Sequence, residues 1–252
     1  MKPSFHQRLR DGQPLIGTLL TTGSREIAEV IQLAGFDWVF IDGEHGAHGP
    51  SEIQGLLQAL SAGPPALVRI PDNEPTWFKK ALDAGADGVI VPLVRSADDA
   101  RRAVAAAKYP PLGSRSVGVG RAQGYGARFK EYVERANASV ALVLQIEHID
   151  AVTHLDDILA TPGIDAVFVG PFDLSASMGH IGEPRHPAVR AVIDDVRTRC
   201  AARHVPIGIF ATSAEGAAEE AAAGFSFVAM TTDLAILANA ATRMYQTAKA
   251  RR

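Results

Sequence analysis

The side chains able to do chemistry cluster behind short apolar runs. Trp38-Val39-Phe40-Ile41 leads into Asp42-Gly43-Glu44-His45, and Ala66-Leu67-Val68 leads into Arg69. Val143-Leu144 leads into Gln145-Ile146-Glu147-His148, and Val167-Phe168-Val169 into Gly170-Pro171-Phe172-Asp173. Two carboxylates, Glu147 and Asp173, suit a hard divalent cation. Mg²⁺ takes one or two protein carboxylates and leaves its other positions to water and substrate oxygens. Such an ion chelates the keto and carboxylate oxygens of a 2-oxo acid and, as a Lewis acid, stabilises the enolate formed when a C3 proton leaves. Arg69 adds a positive group against the same oxygen. His45 suits proton transfer, since an unperturbed imidazole titrates near working pH.

These groups need a scaffold that brings the ends of several apolar runs together. Eight such runs occur, at 15–20, 38–42, 66–70, 88–94, 140–146, 166–170, 206–210 and 225–231. Several are almost continuously apolar, as in parallel strands covered on both faces. Helical patterns lie between them at 24–34, 51–61, 75–84, 97–107, 149–159, 187–204, 214–223 and 234–248. Gly35, Gly63, Gly85, Gly163 and Gly224 close helices, and Ser51, Asp72 and Ser213 stand as N-caps. Eight strand–helix units in 252 residues predict a single-domain (β/α)₈ barrel over residues 1–252, with chemistry at the C-terminal ends of the strands. Gln145 and Glu147 then share an inward face with Ala141 and Val143, as Asp42 does with Phe40. An open doubly wound sheet is disfavoured, because Thr21-Thr22-Gly23-Ser24-Arg25 after the first run is no dinucleotide fingerprint. The irregular stretch 109–125 is long enough to be functional, and its Gly/Arg loop, 113–126, reads as a flexible wall of the site rather than a phosphate loop.

Composition excludes several classes. With 25 Lys+Arg against 28 Asp+Glu, the net charge of −3 offers no broad basic surface for nucleic acid or anionic membrane. No 18-residue apolar stretch spans a bilayer, and the first ten residues have no apolar signal core. A single cysteine, Cys200, excludes a disulfide scaffold and fits a reducing cytoplasm. Lys2, Lys79, Lys80, Lys108, Lys130 and Lys249 all lie outside the predicted strands, which argues against a Schiff-base lysine in the barrel.

Each candidate also has a structural reading. Glu147 and Asp173 precede helical windows, where carboxylates act as caps. Arg69 can be an ion-pair partner of Asp42 or Glu44. Phe210, at the end of the seventh run, is either a lid on the core or a wall for the distal part of a substrate. Cys200, Trp38 and Trp77 read as packing.

Asp42-Gly43-Glu44-His45, Arg69-Ile70-Pro71, Val91-Pro92, Gln145-Ile146-Glu147 and Gly170-Pro171-Phe172-Asp173-Leu174-Ser175 resemble, in order and approximate spacing, the HpcH/HpaI family of metal-dependent class II pyruvate aldolases. Members using pyruvate or hydroxypyruvate as donor resemble the chain most. The resemblance implies Mg²⁺ or Mn²⁺ on Glu147 and Asp173, His45 as acid/base and Arg69 against the enolate. It places Gln145 and Gly170 at the donor, with the main-chain amides of Phe172 and Asp173 on its carboxylate. Asp42, Glu44 and Phe210 lie in or beside the acceptor pocket. It further implies a homohexamer with the last helix exchanged between subunits, and Asp83 as partner of the histidine. Asp83 closes a helix at the bottom of the barrel. A ten-residue helix spans about 15 Å, so an Asp83–His45 pair is expected only across a subunit interface. Phe172 stands where the family commonly has alanine, and Phe210 where it often has leucine.

The expected activity is reversible cleavage of 4-hydroxy-2-oxo acids to pyruvate or hydroxypyruvate plus an aldehyde. Two other readings use the same residues. One is a 2-oxo-diacid decarboxylase or acyl-CoA ester lyase with the same metal. The other is a barrel that binds metabolites without chemistry.

Overall fold

The computed structural model describes residues 4–10 and 13–250. Its eight strands form a closed parallel barrel in sequence order, the (β/α)₈ architecture the pattern predicts. The strands are β1 Leu15–Leu20, β2 Trp38–Asp42, β3 Ala66–Arg69, β4 Gly88–Val91, β5 Ala141–Ile146, β6 Ala166–Val169, β7 Ile207–Ala211 and β8 Phe227–Thr232. The first helices are α1 Phe5–Arg10, α2 Arg25–Ala34, α3 Pro50–Ala59, α4 Pro75–Asp83, α5 Ala97–Ala107 and α6 Phe129–Ser139. They are followed by α7 Ile149–Thr153, α8 Leu155–Leu159, α9 Pro171–Ser177, α10 Pro187–Ala202, α11 Ala214–Ala222 and α12 Asp233–Lys249.

Alternation divides the core in two. Val39 and Ile41 of β2 and Leu142, Leu144 and Ile146 of β5 face outward, into the layer packed under the helices. Trp38, Phe40, Ala141, Val143, Phe168 and Phe227 face inward and fill the barrel. The interior is aromatic, with Trp38 and Phe227 rings 5.5 Å apart and Phe40 and Phe168 also 5.5 Å apart. Such bulk fits only because small residues face it. A Cβ on Gly17 would come within 2.5 Å of the Trp38 indole nitrogen. α1 closes the bottom of the barrel: Phe5 is fully buried, 5.6 Å from Trp38 and 5.4 Å from Phe227. The short α1 pattern escapes a periodicity reading, but Ser4 and Gln7 exchange the hydrogen bonds of a capping box.

Several local expectations are corrected. α3 starts at Pro50 with Gly49 as N-cap, not at Ser51, and Glu74 rather than Asp72 caps α4. The 149–159 window divides at His154, which ends α7 and begins α8. Gly35, Gly85, Gly163 and Gly224 take positive φ as helix-ending glycines, whereas Gly63 does not. A side chain at Gly63 would instead strike Gln32. α6 was hidden by its polarity, since Ala136 is its only buried residue.

The 109–125 stretch does not wall the mouth of its own barrel. Arg115, buried against the Tyr109 ring at 4.6 Å, donates to Asp83, and Arg121 donates to the carbonyls of Ala84 and Leu57. Lys108 is buried below the strands, with Nζ bonded to the Val140 carbonyl at 2.8 Å and to Asp165 at 3.0 Å. It is fixed at the end opposite the mouth, where no Schiff-base chemistry is served. Cys200 is fully buried and its thiol is pushed up to about 12 by burial, so it is inert packing. Among the described residues no helix is long and apolar enough to cross a membrane.

Candidate active site

Asp42 and Arg69 end neighbouring strands and are register partners. The Arg69 guanidinium donates from Nε to Asp42 Oδ1 at 3.0 Å and from Nη2 to Oδ2 at 2.8 Å, a two-pronged pair shielded from water. The backbone N–H groups of Glu44 and His45 also donate to Asp42 Oδ1. Burial by itself would raise the Asp42 carboxyl. Arg69 and the two N–H groups outweigh it and hold Asp42 below the usual aspartate range. Arg69 Nη1 lies 3.1 Å from Glu44 Oε2, a charge contact without hydrogen-bond alignment, which leaves that buried oxygen unpartnered. Burial pushes Glu44 above the ordinary glutamate range despite Arg69. The ion-pair reading of Arg69 is thus correct, and the pairing aims the guanidinium into the mouth. The His45 side chain is 66 % exposed at that rim, with Nε2 3.8 Å from Glu44.

Across the mouth, β5 turns Gln145 inward and the chain continues into Glu147, which is 3 % exposed. Glu147 Oε1 accepts from the Leu93 N–H at 2.7 Å, and Oε2 accepts from Gln145 Nε2. Leu93 reaches this position with φ 57, rare for a side chain of its type. Burial, with the Asp173 charge adding to it, lifts the Glu147 carboxyl above the usual range, although Leu93, Gln145 and Arg69 oppose the rise. Gln145 Oε1 is buried and has no hydrogen-bond partner. Asp173 is exposed on the first turn of α9, which starts with Pro171. Proline at the first helical position suits a turn whose leading N–H groups remain free.

These residues surround a cavity of about 280 Å³. Asp42, His45, Arg69, Gln145, Gly170, Phe172, Asp173 and Phe210 line it. Glu147 stands behind Gln145 and Gly170, and Glu44 behind Arg69. Phe172 and Phe210 face each other at 6.2 Å on one side. Asp83 is elsewhere: it pairs with Arg115 at 2.6 Å and borders a separate cavity with Lys80, Arg121 and Tyr125.

Sequence reasoning missed Thr21, Thr232 and Leu93. Asp233 takes the N–H and hydroxyl of Thr21 and the N–H of Thr22, closing the seam between β1 and β8 at the mouth. The inward phase of β1, continued one residue past Leu20, was the available signal for Thr21. The left-handed turn at Leu93 had none.

The family model for HpcH/HpaI aldolase/citrate lyase matches residues 16–240. This chain belongs to that family. It is 41% identical over 244 residues to the 2-dehydro-3,6-dideoxy-6-sulfogluconate aldolase of Pseudomonas putida, covering 96% of this chain and 95% of that protein. It is 40% identical over 242 residues to the hydroxypyruvate/pyruvate aldolase of Sagittula stellata, covering 95% of each. Among solved structures it resembles an HpcH/HpaI aldolase/citrate lyase family protein from Burkholderia cenocepacia, with TM-score 0.93 and 37% identity over 97% of this chain and 98% of that one. The HpcH/HpaI barrel therefore extends over nearly the whole chain, and the protein is an enzyme of the lyase class.

Gly170 gives a direct test of how tightly this HpcH/HpaI mouth is packed. A Cβ there would lie 2.9 Å from Glu147 Cβ, 3.0 Å from its Oε2 and 3.2 Å from Gln145 Nε2. Gly170→Ala forces Glu147 or Gln145 to shift and is expected to destabilise the barrel by about 1–3 kcal/mol, the cost of overpacking a close-packed site, which urea unfolding checks.

Proposed function

We propose that this aldolase cleaves 4-hydroxy-2-oxo acids reversibly to pyruvate or hydroxypyruvate and an aldehyde, using a divalent metal. The observation that carries the reading is the convergence at one mouth of Asp173, the aimed Arg69 guanidinium and the unpartnered Gln145 Oε1, with the Glu147 carboxylate buried directly behind them. The donor set fits a hard cation: two carboxylates, one of them buried with its ionisation made costlier by the other's charge, beside a buried oxygen lacking a partner. Glu147 and Asp173 would hold Mg²⁺ or Mn²⁺, which when bound supplies Lewis-acid stabilisation to the 2-oxo acid oxygens.

The chain's own groups do the rest. Arg69, locked by Asp42, presents fixed positive charge where the keto oxygen gains negative charge. The uncommitted N–H groups of Phe172 and Asp173, on the first turn of α9, receive the donor carboxylate. In cleavage, His45 removes the C4 hydroxyl proton through a water. The C3–C4 bond breaks, its electron pair passes into the enolate, and a proton returned to C3 completes pyruvate. Phe172 and Phe210 form an apolar wall that the aldehyde's substituent meets.

Enolate formation is measurable without knowing the acceptor. In D₂O the protein with Mg²⁺ or Mn²⁺ is expected to exchange the C3 hydrogens of pyruvate, followed by loss of the methyl proton resonance. Chelation stops the exchange and added metal restores it. Undiminished exchange in metal-free protein would overturn the metal's role, and binding of pyruvate without any exchange would overturn the lyase chemistry.

Asp83 enters this reading through a second copy of the chain. It is remote from the mouth of its own barrel, and α12 leaves Leu237, Met244 and Tyr245 exposed, with Asp233 its only buried residue. We propose a hexamer of the family kind in which the Asp83 of one subunit orients the His45 of another. His45→Ala and Asp83→Ala proteins, each inactive alone, are expected to regain part of their turnover when unfolded together and reassembled. Mixed interfaces then contain intact pairs. A pair within one subunit would give no recovery.

A further inference from the structure

We propose that His180, Glu183 and His186 form a second metal site, outside the barrel mouth, for a borderline transition-metal ion such as Zn²⁺, Co²⁺ or Ni²⁺. The three lie on the connection between α9 and α10. Their ligating atoms all fall within 4.8 Å of one another. This is not an accident of three mobile side chains, because the backbone spaces them. The Glu183 N–H donates to the His180 carbonyl at 2.9 Å, and the His186 N–H donates to the Glu183 carbonyl at 2.9 Å. Two consecutive turns therefore set the i, i+3, i+6 spacing. The His180 N–H is anchored to the Ser175 carbonyl at 2.8 Å, which ties the cluster to the end of α9.

The side chains are available as ligands. Among the described residues, neither the His180 ring nitrogens nor the Glu183 carboxylate has a hydrogen-bond or salt-bridge partner. The His180 and His186 rings stack at 3.6 Å with planes 18° apart, so both imidazoles are already on one side of the loop. Metal–nitrogen and metal–oxygen distances of about 2.1 Å in a tetrahedral site place ligand atoms about 3.4 Å apart. Reaching that value requires the His180–His186 stack to open, because a shared metal must lie in the plane of both rings. His186 gives something up: its Nδ1 now accepts from the Ala188 N–H, capping α10 at 3.2 Å. A neutral ring used that way has its proton on Nε2, so coordination exchanges the cap for the metal.

Ligand type separates this site from the mouth. Two imidazoles and one carboxylate favour Zn²⁺ and its neighbours and leave a fourth position for water. The all-oxygen pair Glu147 and Asp173 favours Mg²⁺ or Mn²⁺. The site also has neighbours of interest: Pro184 and Arg185, within the same loop, border a small cavity with Phe172 and Phe210.

The test is titration of the full-length protein with Co²⁺ in saturating Mg²⁺, repeated in the Glu147→Gln background to remove uptake at the mouth. The expected result in both is one Co²⁺ per chain with the intense visible bands of a four-coordinate, nitrogen-containing site. His180→Ala and His186→Asn abolish the bands; asparagine keeps the helix cap while removing the imidazole. Glu183→Gln weakens uptake by at least about tenfold. Mg²⁺-supported turnover and the circular dichroism of the three variants remain those of the parent. Only weak octahedral bands, or bands that survive His180→Ala and His186→Asn, would overturn the site.

Discussion

Arg69→Met is expected to lower kcat by about 10²–10³-fold, the range for removing one charge-stabilising donor from a preorganised site. It is also expected to destabilise the fold by about 3–5 kcal/mol, because Asp42 is left as a buried, uncompensated charge. Asp42→Asn leaves Arg69 with only the Glu44 charge contact and is expected to destabilise too, but less. The double variant separates structure from chemistry: with both charges gone, most of the lost stability returns but turnover does not. Recovery of turnover in the double variant would reduce Arg69 to a structural partner. Urea unfolding and steady-state kinetics on the three proteins decide it. The pH dependence has a definite sign. The folded-state Asp42 pKa lies below its ordinary value of 3.8, so its stabilising contribution is full above that value and is lost as pH falls through the lowered one. The stability gap between parent and Asp42→Asn therefore narrows only in strong acid.

What the sequence made legible follows from what packing leaves free. All eight strands fall within two or three residues of their apolar runs, because a strand covered on both faces must be continuously apolar. Inward positions of β2 and β5 were readable for the same reason: alternation is strict once one face fills the barrel. Asp42 and Gln145 follow from that phase alone, and Arg69 from its place at the end of the third run. Their partners do not. Period-two phase cannot tell that Arg69 meets Asp42 squarely and Glu44 only by charge; that depends on register and side-chain reach. The Leu93 N–H on Glu147 rests on a left-handed residue that no propensity favours.

The 109–125 stretch shows the opposite failure. Its glycines and arginines suggested a mobile wall, yet Arg115 is buried under Tyr109 and bound to Asp83. Charge in a loop says nothing about direction. α9 escaped for a simpler reason: seven residues starting at a proline are too short to show a helical period. The α9 N-terminus lies at the mouth because it follows β6 after a single residue, Gly170.

Glu147→Gln is expected to separate stability from activity most cleanly. Burial disfavours the ionised carboxylate, and the nearby Asp173 charge adds to the cost. A neutral amide of the same shape relieves both. Its oxygen can still accept from the Leu93 N–H. Its nitrogen can donate to Gln145 Oε1, now unpartnered, once the Gln145 amide turns over. The metal-free variant should therefore melt no lower than the parent, and higher by a gain of about 0.5–2 kcal/mol. Metal binding moves the other way. In the proposed function Glu147 is a metal ligand, and loss of a ligand costs more than loss of a group that merely orients one, so Mg²⁺ affinity and pyruvate C3–H exchange should fall by more than about 100-fold. Asp173→Asn makes the comparison informative. Asp173 is exposed and carries little burial cost, so it should lose metal and exchange without the gain in melting temperature. A Glu147→Gln protein that binds Mg²⁺ and exchanges pyruvate like the parent would remove Glu147 from the metal site, and one that melts far lower would make it a structural carboxylate instead.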